Sequence, residues 1–195
     1  EAAVRRAFAE AAKHSGRVLV ERELPGRDYR VLVIDGVVVA VAERRPAQVV
    51  GDGRSTVAEL VELLNDDPRR GIGHERELTR VVVDGPLHAV LSAQGLDLGA
   101  VPEPGRPVVL RDTATLAAGG EAIDRSGEIH PATAALAERA ARAVGLDIAG
   151  IDLIAPDIAQ PLAAGDRTGG VIEVNAAPGF RMHLAPSHGT PRDVA

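Results

Sequence analysis

A short apolar strand near the end of the chain carries two oxygen donors on one side. Glu173 and Asn175 are two residues apart, and side chains alternate across a strand, so both are expected to point the same way while Ile172 and Val174 face the core. A second apolar strand carries Asp152, which is expected to lie alongside. Carboxylate and carboxamide oxygens suit a Mg²⁺ ion shared with phosphate groups. The alternative is an edge strand whose polar residues are simply solvated.

A second set of candidate residues surrounds a turn much earlier in the chain. An apolar segment ends at Glu21 and is followed by the turn Pro25-Gly26 and then by Asp28. Glu21 and the backbone beside it can accept from and donate to an adenine edge, and a carboxylate such as Asp28 suits ribose hydroxyls. The alternative is an ordinary hairpin with charged flanks.

Two arginines and a pair of glycines complete the set. Arg111 precedes a loop that ends in Gly119 and Gly120. Glycine lets backbone N–H groups approach an anion closely, and a guanidinium can neutralise a phosphoryl group during its transfer. Arg181 follows the strand of oxygen donors and has the planar fork that binds a carboxylate. A bare Gly-Gly pair is equally typical of a simple turn.

The composition limits both the core and the partners. Apolar residues make up 45% of the 195 residues, but Trp is absent and Phe and Tyr total only three, so the core must be built from aliphatic side chains. A net charge of −6 gives no support for binding nucleic acid or a membrane surface, and it suits a cytoplasmic protein. Cysteine is absent, which excludes disulfides and thiol catalysis. The only methionine is Met182, which indicates a fragment of a longer chain.

Hydrophobic periodicity and turn signals predict an α+β fold, with mixed or antiparallel sheets flanked by helices. Asp35-Gly36 is a strong hairpin signal between strands 28–34 and 37–42, and a strand at 17–23 is expected to complete a three-stranded meander. The further predicted elements are helices at 2–14, 86–94 and 131–144 and strands at 108–110, 148–154 and 170–174.

A capping box marks the start of one more helix. Thr56 and Glu59 have the required spacing, and they precede the apolar residues Leu60, Leu63 and Leu64. The segment 66–80 is polar and rich in turn residues, so the acidic and basic pairs within it, Asp66-Asp67 and Arg69-Arg70, are interpreted as solvated loop charges.

Several long strings resemble the ATP-grasp ligases and, among them, the cyanophycin synthetase family. The strings are VERELPGRDYRVLVIDG, AERRPAQVVGDGRSTVAELV, NDDPRRGIGHERELT, GGEAID, EIHP, GLDIAGIDLIAPD and VIEVNAAPGFRMHLAPS, and together they cover most of the chain. The resemblance implies an ATP-grasp fold represented by its C-terminal part, with the lid largely missing. It also implies nucleotide-hinge strands at 1–54, a helical insertion at 55–105 and a metal- and phosphate-binding core at 106–195.

The resemblance further implies a ligase that uses ATP and Mg²⁺. Such an enzyme phosphorylates the C-terminal carboxylate of a poly-aspartate backbone, and the amine of an incoming aspartate then attacks the acyl phosphate. The implied substrates are therefore aspartate and an acidic peptide carboxylate. A homo-oligomer is implied for the full-length enzyme. By position, the resemblance implies Mg²⁺ ligands at Asp152, Glu173 and Asn175. It implies adenine contacts at Glu21 and Leu24, a ribose contact at Asp28 and further nucleotide contacts at Gly119 and Gly120. It also implies a γ-phosphate contact at Arg111 and substrate or phosphate contacts at Arg45 and Arg181.

Two other functions stay open. One is a glutathione-synthetase-like or other amino-acid ligase, since the glutathione-forming bifunctional enzymes share a similar glycine loop. The other is a degenerate ATP-grasp module that binds nucleotide or partners without catalysis. The second depends on the glycine loop, where the family usually has Asn, Ser and Thr before the glycines and this chain has Thr115-Leu116-Ala117-Ala118.

Overall fold

The computed structural model describes residues 2–73, 75–162, 165 and 167–194. The helices are α1 (Ala2–Ala11), α2 (Val57–Asn65), α3 (Gly85–Ala93), α4 (Pro131–Val144) and α5 (Arg181–Leu184), and a 3₁₀ turn spans Leu116–Ala118. The strands are β1 (Arg27–Ile34), β2 (Val37–Arg45), β3 (Gln48–Val50), β4 (Arg70–Gly71), β5 (Leu78–Thr79), β6 (Pro107–Val109), β7 (Glu121–Asp124), β8 (Ile148–Ala155) and β9 (Gly170–Asn175). The α+β prediction is confirmed.

A five-stranded antiparallel sheet in the order β7-β2-β1-β8-β9 forms the centre of the fold. The hairpin between β1 and β2 is confirmed, and both Asp35 and Gly36 have positive φ, as a two-residue turn of this twist requires. The strand predicted at 17–23 is wrong. β8 pairs with β1 along its whole length, so no edge of β1 is left for it, and Leu19 is 79% exposed.

One face of this sheet is covered by α4 and forms the main core. Alternate residues of β1 and β8 point toward the helix, including Tyr29, Val31 and Ile151, which are fully buried against Ala137 and Ala141 of α4. The helix runs over the predicted residues because Pro131 starts it and Gly145, with a left-handed conformation, ends it. Small alanines let the helix lie close to this face of the sheet. The opposite face does not contact α4 and carries other side chains.

A second, smaller core joins the helices α2 and α3 to the two-stranded sheet β3-β6. The capping box is confirmed, because the Thr56 side chain accepts from the Glu59 backbone and the Glu59 side chain accepts from the Thr56 backbone. Of the three leucines noted in the sequence, Leu60 is buried and Leu64 packs against this core, whereas Leu63 is 61% exposed. Val57 and Val61 complete the buried face. This core is separate from the one under α4.

Over the residues that the structure describes, every helix is too short or too polar to cross a lipid bilayer.

Candidate active site

The face of the central sheet opposite α4 is charged. Antiparallel pairing places Asp28 opposite Arg44, Arg30 opposite Asp152, and Asp152 opposite Glu173. Residues that are paired across antiparallel strands share a face, so four strands contribute a carboxylate or a guanidinium to one surface. We call this surface the charged face.

The charged residues are joined in a partly buried network. Arg30 donates from Nε to Oδ1 of Asp152 and from Nη2 to Oδ2 at 3.2 Å. Arg44 donates from Nε to Oδ1 of Asp28 at 2.7 Å, and its Nη2 lies 3.3 Å from Oδ2 of Asp152. The side chains of Arg30, Arg44 and Asp152 are only 10–13% exposed. Burial raises the pKa of Asp28, and the neighbouring Arg44 partly opposes that rise.

Arg30 and Arg44 were not recognised from the sequence. The two-residue turn at Asp35-Gly36 alone would set Glu43 across from Asp28, but a bulge at Val39 shifts the register by one residue and places Arg44 there instead. Nothing local indicates Arg30 as a partner of Asp152, since 122 residues separate them and the strands β1 and β8 meet only in the folded chain.

Gly150 leaves room for the Arg30 side chain to lie across β8. A Cβ atom at this position would come within 2.7 Å of Pro178 Cβ and 3.1 Å of Arg30 Cδ, which is closer than normal packing permits. The carbonyl oxygen of Gly150 also accepts from Nδ2 of Asn175 at 3.2 Å. This bond turns the amide so that Oδ1 of Asn175 remains available as a donor to a cation.

A bulge in β9 changes the predicted orientation of that strand. The register with β8 shifts between Asp152 and Leu153, so Glu173 pairs with Asp152 while Val171 pairs with Leu153. Ile172 is the extra residue, and it is 57% exposed, so the prediction that it faces the core is wrong. Val171 and Val174 pack against the main core instead.

The residues predicted to contact the adenine and the ribose line one cavity of about 620 Å³ beside the charged face, whereas Gly119 and Gly120 do not. We call it the nucleotide cavity. The structure thus brings together Glu21, Leu24, Asp28 and Asp152, although the first two come from an extended segment that is not a strand. Exposed Ile172 supplies part of the apolar wall.

A second cavity, of about 770 Å³, adjoins the first. We call it the basic cavity after Arg27, Arg44 and Arg45 in its lining, which also includes the carboxylates of Asp28, Glu43 and Asp112. Asp28 and Arg44 belong to both cavities. Arg45 donates from Nε to buried Glu43 at 2.6 Å. Burial alone would raise the pKa of Glu43, but hydrogen bonds from Arg45 and Arg125 outweigh it and lower the pKa. The segment Asp112–Thr115 also lines this cavity.

Two of the predicted arginines lie in other clefts. The Arg111 guanidinium makes two bonds to the Asp84 carboxylate, at 2.8 and 3.1 Å, and a third to the Val82 carbonyl. Arg181 donates to the backbone carbonyl of Arg76 at 3.2 Å and lines a cleft with Arg69, Arg76 and two glutamates. The structure therefore does not bring Arg111 or Arg181 into either the nucleotide cavity or the basic cavity.

The backbone N–H groups of the glycine loop are already engaged. Gly119 donates to the carbonyl of Leu116 at 3.0 Å, and Gly120 donates to that of Thr115 at 3.1 Å. Both N–H groups close the 3₁₀ turn in this structure, and the nucleotide contact expected of these two glycines stays a prediction.

The donors on the charged face suit Mg²⁺ in kind and in number. Among the described residues, no three or more His, Asp or Glu side chains cluster as a complete protein cage for a metal. Mg²⁺ does not require such a cage, because it usually keeps several waters and takes one or two carboxylates together with phosphate oxygens. Asp152 and the exposed Glu173, opposite each other on β8 and β9, can supply the carboxylates, and Asn175 can supply the amide oxygen.

His183 of α5 is buried beside the charged face. It is 3% exposed, and its Nε2 atom has no hydrogen-bond partner among the described residues. Burial, reinforced by the positive charge of Arg30 and opposed by Asp124, lowers the pKa of His183 to about 4. The imidazole is therefore neutral in the folded protein at pH values where a solvated one is protonated.

This histidine should make stability depend on pH. Between about pH 4 and 6.5 the unfolded state binds the proton and the folded state does not, so stability falls as the pH falls, with a slope of up to about 1.4 kcal/mol per pH unit. His183→Gln should flatten the slope in that window, and exposed His88→Gln should not. Urea unfolding from about pH 4 to 8 measures this, and equal slopes in both variants would contradict the assignment.

The comparisons with known proteins point to one group of enzymes. No protein-family model matches the chain. The cyanophycin synthetase of Nostoc sp. (strain PCC 7120) is 54% identical over 187 residues, which are 95% of this chain and 20% of that protein. The cyanophycin synthetase of Synechocystis sp. (strain PCC 6803) is 52% identical over 181 residues, with 93% of this chain and 20% of that protein covered. The chain thus spans about a fifth of the length of these relatives.

Proteins of glutathione biosynthesis are more distant relatives. The bifunctional protein of Enterococcus faecalis is 39% identical over 182 residues, covering 93% of this chain and 24% of that protein. The crystal structure of a bifunctional glutathione synthetase from Pasteurella multocida superposes with a TM-score of 0.76 at 36% identity, over 96% of this chain and 26% of that one.

Proposed function

Because this chain is a partial ATP-grasp region related to the cyanophycin synthetases, we propose that it holds ATP and Mg²⁺ on its charged face for a ligase that joins a carboxylate to an amine. The observation that carries the proposal is the juxtaposition of Asp28, Asp152 and Glu173 on one face, next to a cavity lined by Leu24 and Ile172. The apolar side chains provide a wall for the base of the nucleotide, and the carboxylates suit its ribose hydroxyls and a metal ion. The guanidinium groups of Arg30 and Arg44 on the same face suit its phosphates.

The nucleotide lies across the cavity in a defined direction. Leu24 and Ile172 provide the apolar surface for the adenine, and Glu21 accepts from its amino group. Asp28 accepts from the ribose hydroxyls, so the phosphates point toward Asp152 and Arg44. Arg44 now touches two carboxylates and lies between the cavities, and we propose that it turns from them to the phosphates when the nucleotide enters.

The metal ion, when bound, supplies charge neutralisation at the phosphate oxygens. Asp152, Glu173 and Asn175 would hold it. Arg30 keeps the Asp152 carboxylate in a fixed orientation through two hydrogen bonds, and the Asn175 amide is oriented by Gly150. The protein's contribution is thus preorganisation: the donors are aimed before the nucleotide arrives.

The basic cavity is the proposed site of the acidic substrate. Arg27, Arg44 and Arg45 give it a cationic wall, which suits an acidic peptide whose terminal carboxylate receives the phosphoryl group and whose acyl phosphate an aspartate amine then attacks. We propose aspartate addition in the cytoplasm, by an enzyme that is a homo-oligomer in its full-length form and binds neither nucleic acid nor membrane. The roles of Arg111, Arg181, Gly119 and Gly120 stay predictions.

One observation favours a second candidate. The fold superposes on a bifunctional glutathione synthetase, so a ligase with glutathione as its product is the alternative. The two are separated by supplying the full protein with ATP, Mg²⁺ and either labelled aspartate with an acidic peptide, or the precursors of glutathione. Growth of the peptide supports the proposal, and glutathione formation selects the alternative. ATP binding without either product would indicate a nucleotide-binding module without catalysis.

Asp28→Ala tests the position of the nucleotide. We expect ATP affinity to fall by roughly 1–3 kcal/mol, because ribose hydroxyls lose their acceptor, with little change in the saturated rate. Calorimetric titration of ATP measures the affinity. Exposed Asp66→Asn serves as the control and should leave the affinity unchanged. A collapsed rate at unchanged ATP affinity would show that Asp28 does not hold the ribose.

A further inference from the structure

Arg70 does not behave as the solvated loop charge expected from the sequence. Its side chain is 1% exposed, which corrects that expectation. Nη1 donates to the carbonyl of Thr79 at 2.8 Å and to that of Gly119 at 2.9 Å, and Nη2 lies 3.4 Å from Oε1 of Glu121. Its Nε has no partner among the described residues. Burying a guanidinium with one unpaired N–H costs stability, so its other hydrogen bonds must offset that cost.

These bonds hold the glycine loop from inside the protein. Gly119 has a φ of +90°, and a Cβ atom there would lie 2.6 Å from Val81 Cγ2. At Gly120 a Cβ atom would lie 2.7 Å from the carbonyl oxygen of Arg45, so the end of β2 closes the other side. The back of the loop is therefore enclosed by Arg70, Val81 and the backbone of Arg45.

The front of the same loop is the wall of the basic cavity. Thr113 and Thr115 line it together with Arg44 and Arg45, and Thr115 accepts the hydrogen bond from Gly120. Because Gly119 donates to Leu116 and Gly120 donates to Thr115, a shift of Gly119 displaces the part of the cavity lining that Thr115 forms. The nucleotide cavity has no residue of this loop in its lining.

We propose that Arg70 is a positioning residue that fixes the width of the basic cavity without contacting its ligand. The inference rests on the proposed function in one respect, since it takes the occupant of that cavity to be the acidic substrate. It predicts that the two binding steps respond differently to a change at Arg70. Binding of the acidic substrate should change, and binding of the nucleotide, which occupies the other cavity, should not.

Lysine cannot reproduce this arrangement. The planar guanidinium reaches two carbonyl oxygens and a carboxylate at once, whereas an ammonium is a single point of donation on a flexible stem. Arg70→Lys therefore keeps the positive charge but cannot make the contacts to Thr79, Gly119 and Glu121 at the same time. The matched control is Arg106→Lys, because Arg106 also donates to a backbone carbonyl, that of Gln94 at 3.2 Å, but is exposed and lines neither cavity.

The experiment compares these two variants in the full protein. For Arg70→Lys we expect the KM for the acidic peptide to rise about tenfold while the KM for ATP stays within about twofold, and for Arg106→Lys we expect neither to change. An unchanged peptide KM, or an equal rise in both KM values, would overturn the proposal. If Arg70→Lys fails to fold, Glu121→Gln replaces it, and the same split on a smaller scale is expected; no split would overturn the proposal.

A second readout does not depend on activity. Amide hydrogen exchange of the segment 113–120 should be faster in Arg70→Lys than in the wild type and unchanged in Arg106→Lys, because only the first loses the anchor of Gly119. Equal protection in all three proteins would overturn the positioning role. A wild-type protein without ligase activity would contradict the proposed function instead, and the exchange comparison would still decide the role of Arg70.

Discussion

Glu173→Ala is expected to lower ATP-dependent ligation by the full protein about a thousandfold while leaving the fold intact. Glu173 lies directly opposite Asp152, is exposed, and has no side-chain hydrogen bond or ion pair identified in the described structure, so its carboxylate is the one on the charged face most ready to meet a cation. Under the proposed function, removing it takes away one of the two carboxylates that would hold the metal where the phosphoryl group is transferred. No packing is lost, since the side chain covers no part of the core.

The matched control is Glu62→Ala, which removes another exposed carboxylate, on α2 and outside both cavities. Circular dichroism and urea unfolding should be the same for both variants and the wild type, so that a rate difference reports on chemistry. Titration of Mn²⁺ in place of Mg²⁺, in the presence of a non-hydrolysable ATP analogue, should show weaker binding in Glu173→Ala only. Ligation at the wild-type rate by folded Glu173→Ala would exclude Glu173 as a metal ligand.

Arg44→Met is expected to destabilise the fold by about 2–4 kcal/mol. The change leaves Asp28 without its partner in a partly buried position and removes one of two guanidinium groups from Asp152. Asp28 is 30% exposed, so water relieves part of the cost, and Arg30 still pairs with Asp152, which places the expected value below that of a fully buried pair. Methionine retains most of the volume, so little of the loss comes from packing.

The double variant Arg44→Met with Asp28→Asn identifies the cause. It removes the unpaired charge, so more than half of the lost stability should return. Exposed Arg54→Met is the control and should change the free energy of unfolding by less than about 0.5 kcal/mol. Urea unfolding at neutral pH measures all of these. If the double variant is no more stable than the single one, the loss comes from packing and the network does not stabilise the sheet.

Local signals predicted most of the helices and strands. The capping box at Thr56, the turn at Asp35-Gly36 and the Pro131 start of α4 are each specified by residues within one turn of the element. The predicted strand at 17–23 failed for the opposite reason. Its residues favour a strand, but pairing depends on which strand occupies the edge of β1, and that is β8, more than a hundred residues away.

The candidate site divides in the same way. Glu21, Leu24, Asp28 and Asp152 could be assigned from motifs, and they line one cavity. The arginines that bind the carboxylates could not be assigned, because Arg30 and Arg44 belong to no motif of their own and acquire their role through cross-strand register. Arg70 was misread because polarity predicts exposure on average, whereas this guanidinium is buried by carbonyl acceptors that only the tertiary fold brings together.

The extra residue in β9 has a consequence for how this site can vary. In a regular strand, the side chain at 172 would share the inward face with Val174, and Val171 would share the outward face with Glu173 and Asn175, so a change of size at 172 would disturb the core. The bulge releases that position from the inward face. The side chain at 172 lines the nucleotide cavity and is 57% exposed, so its size can change without disturbing the apolar packing of the same strand. Under the proposed function, such a change would alter the surface offered to the base and leave Glu173 and Asn175 in place.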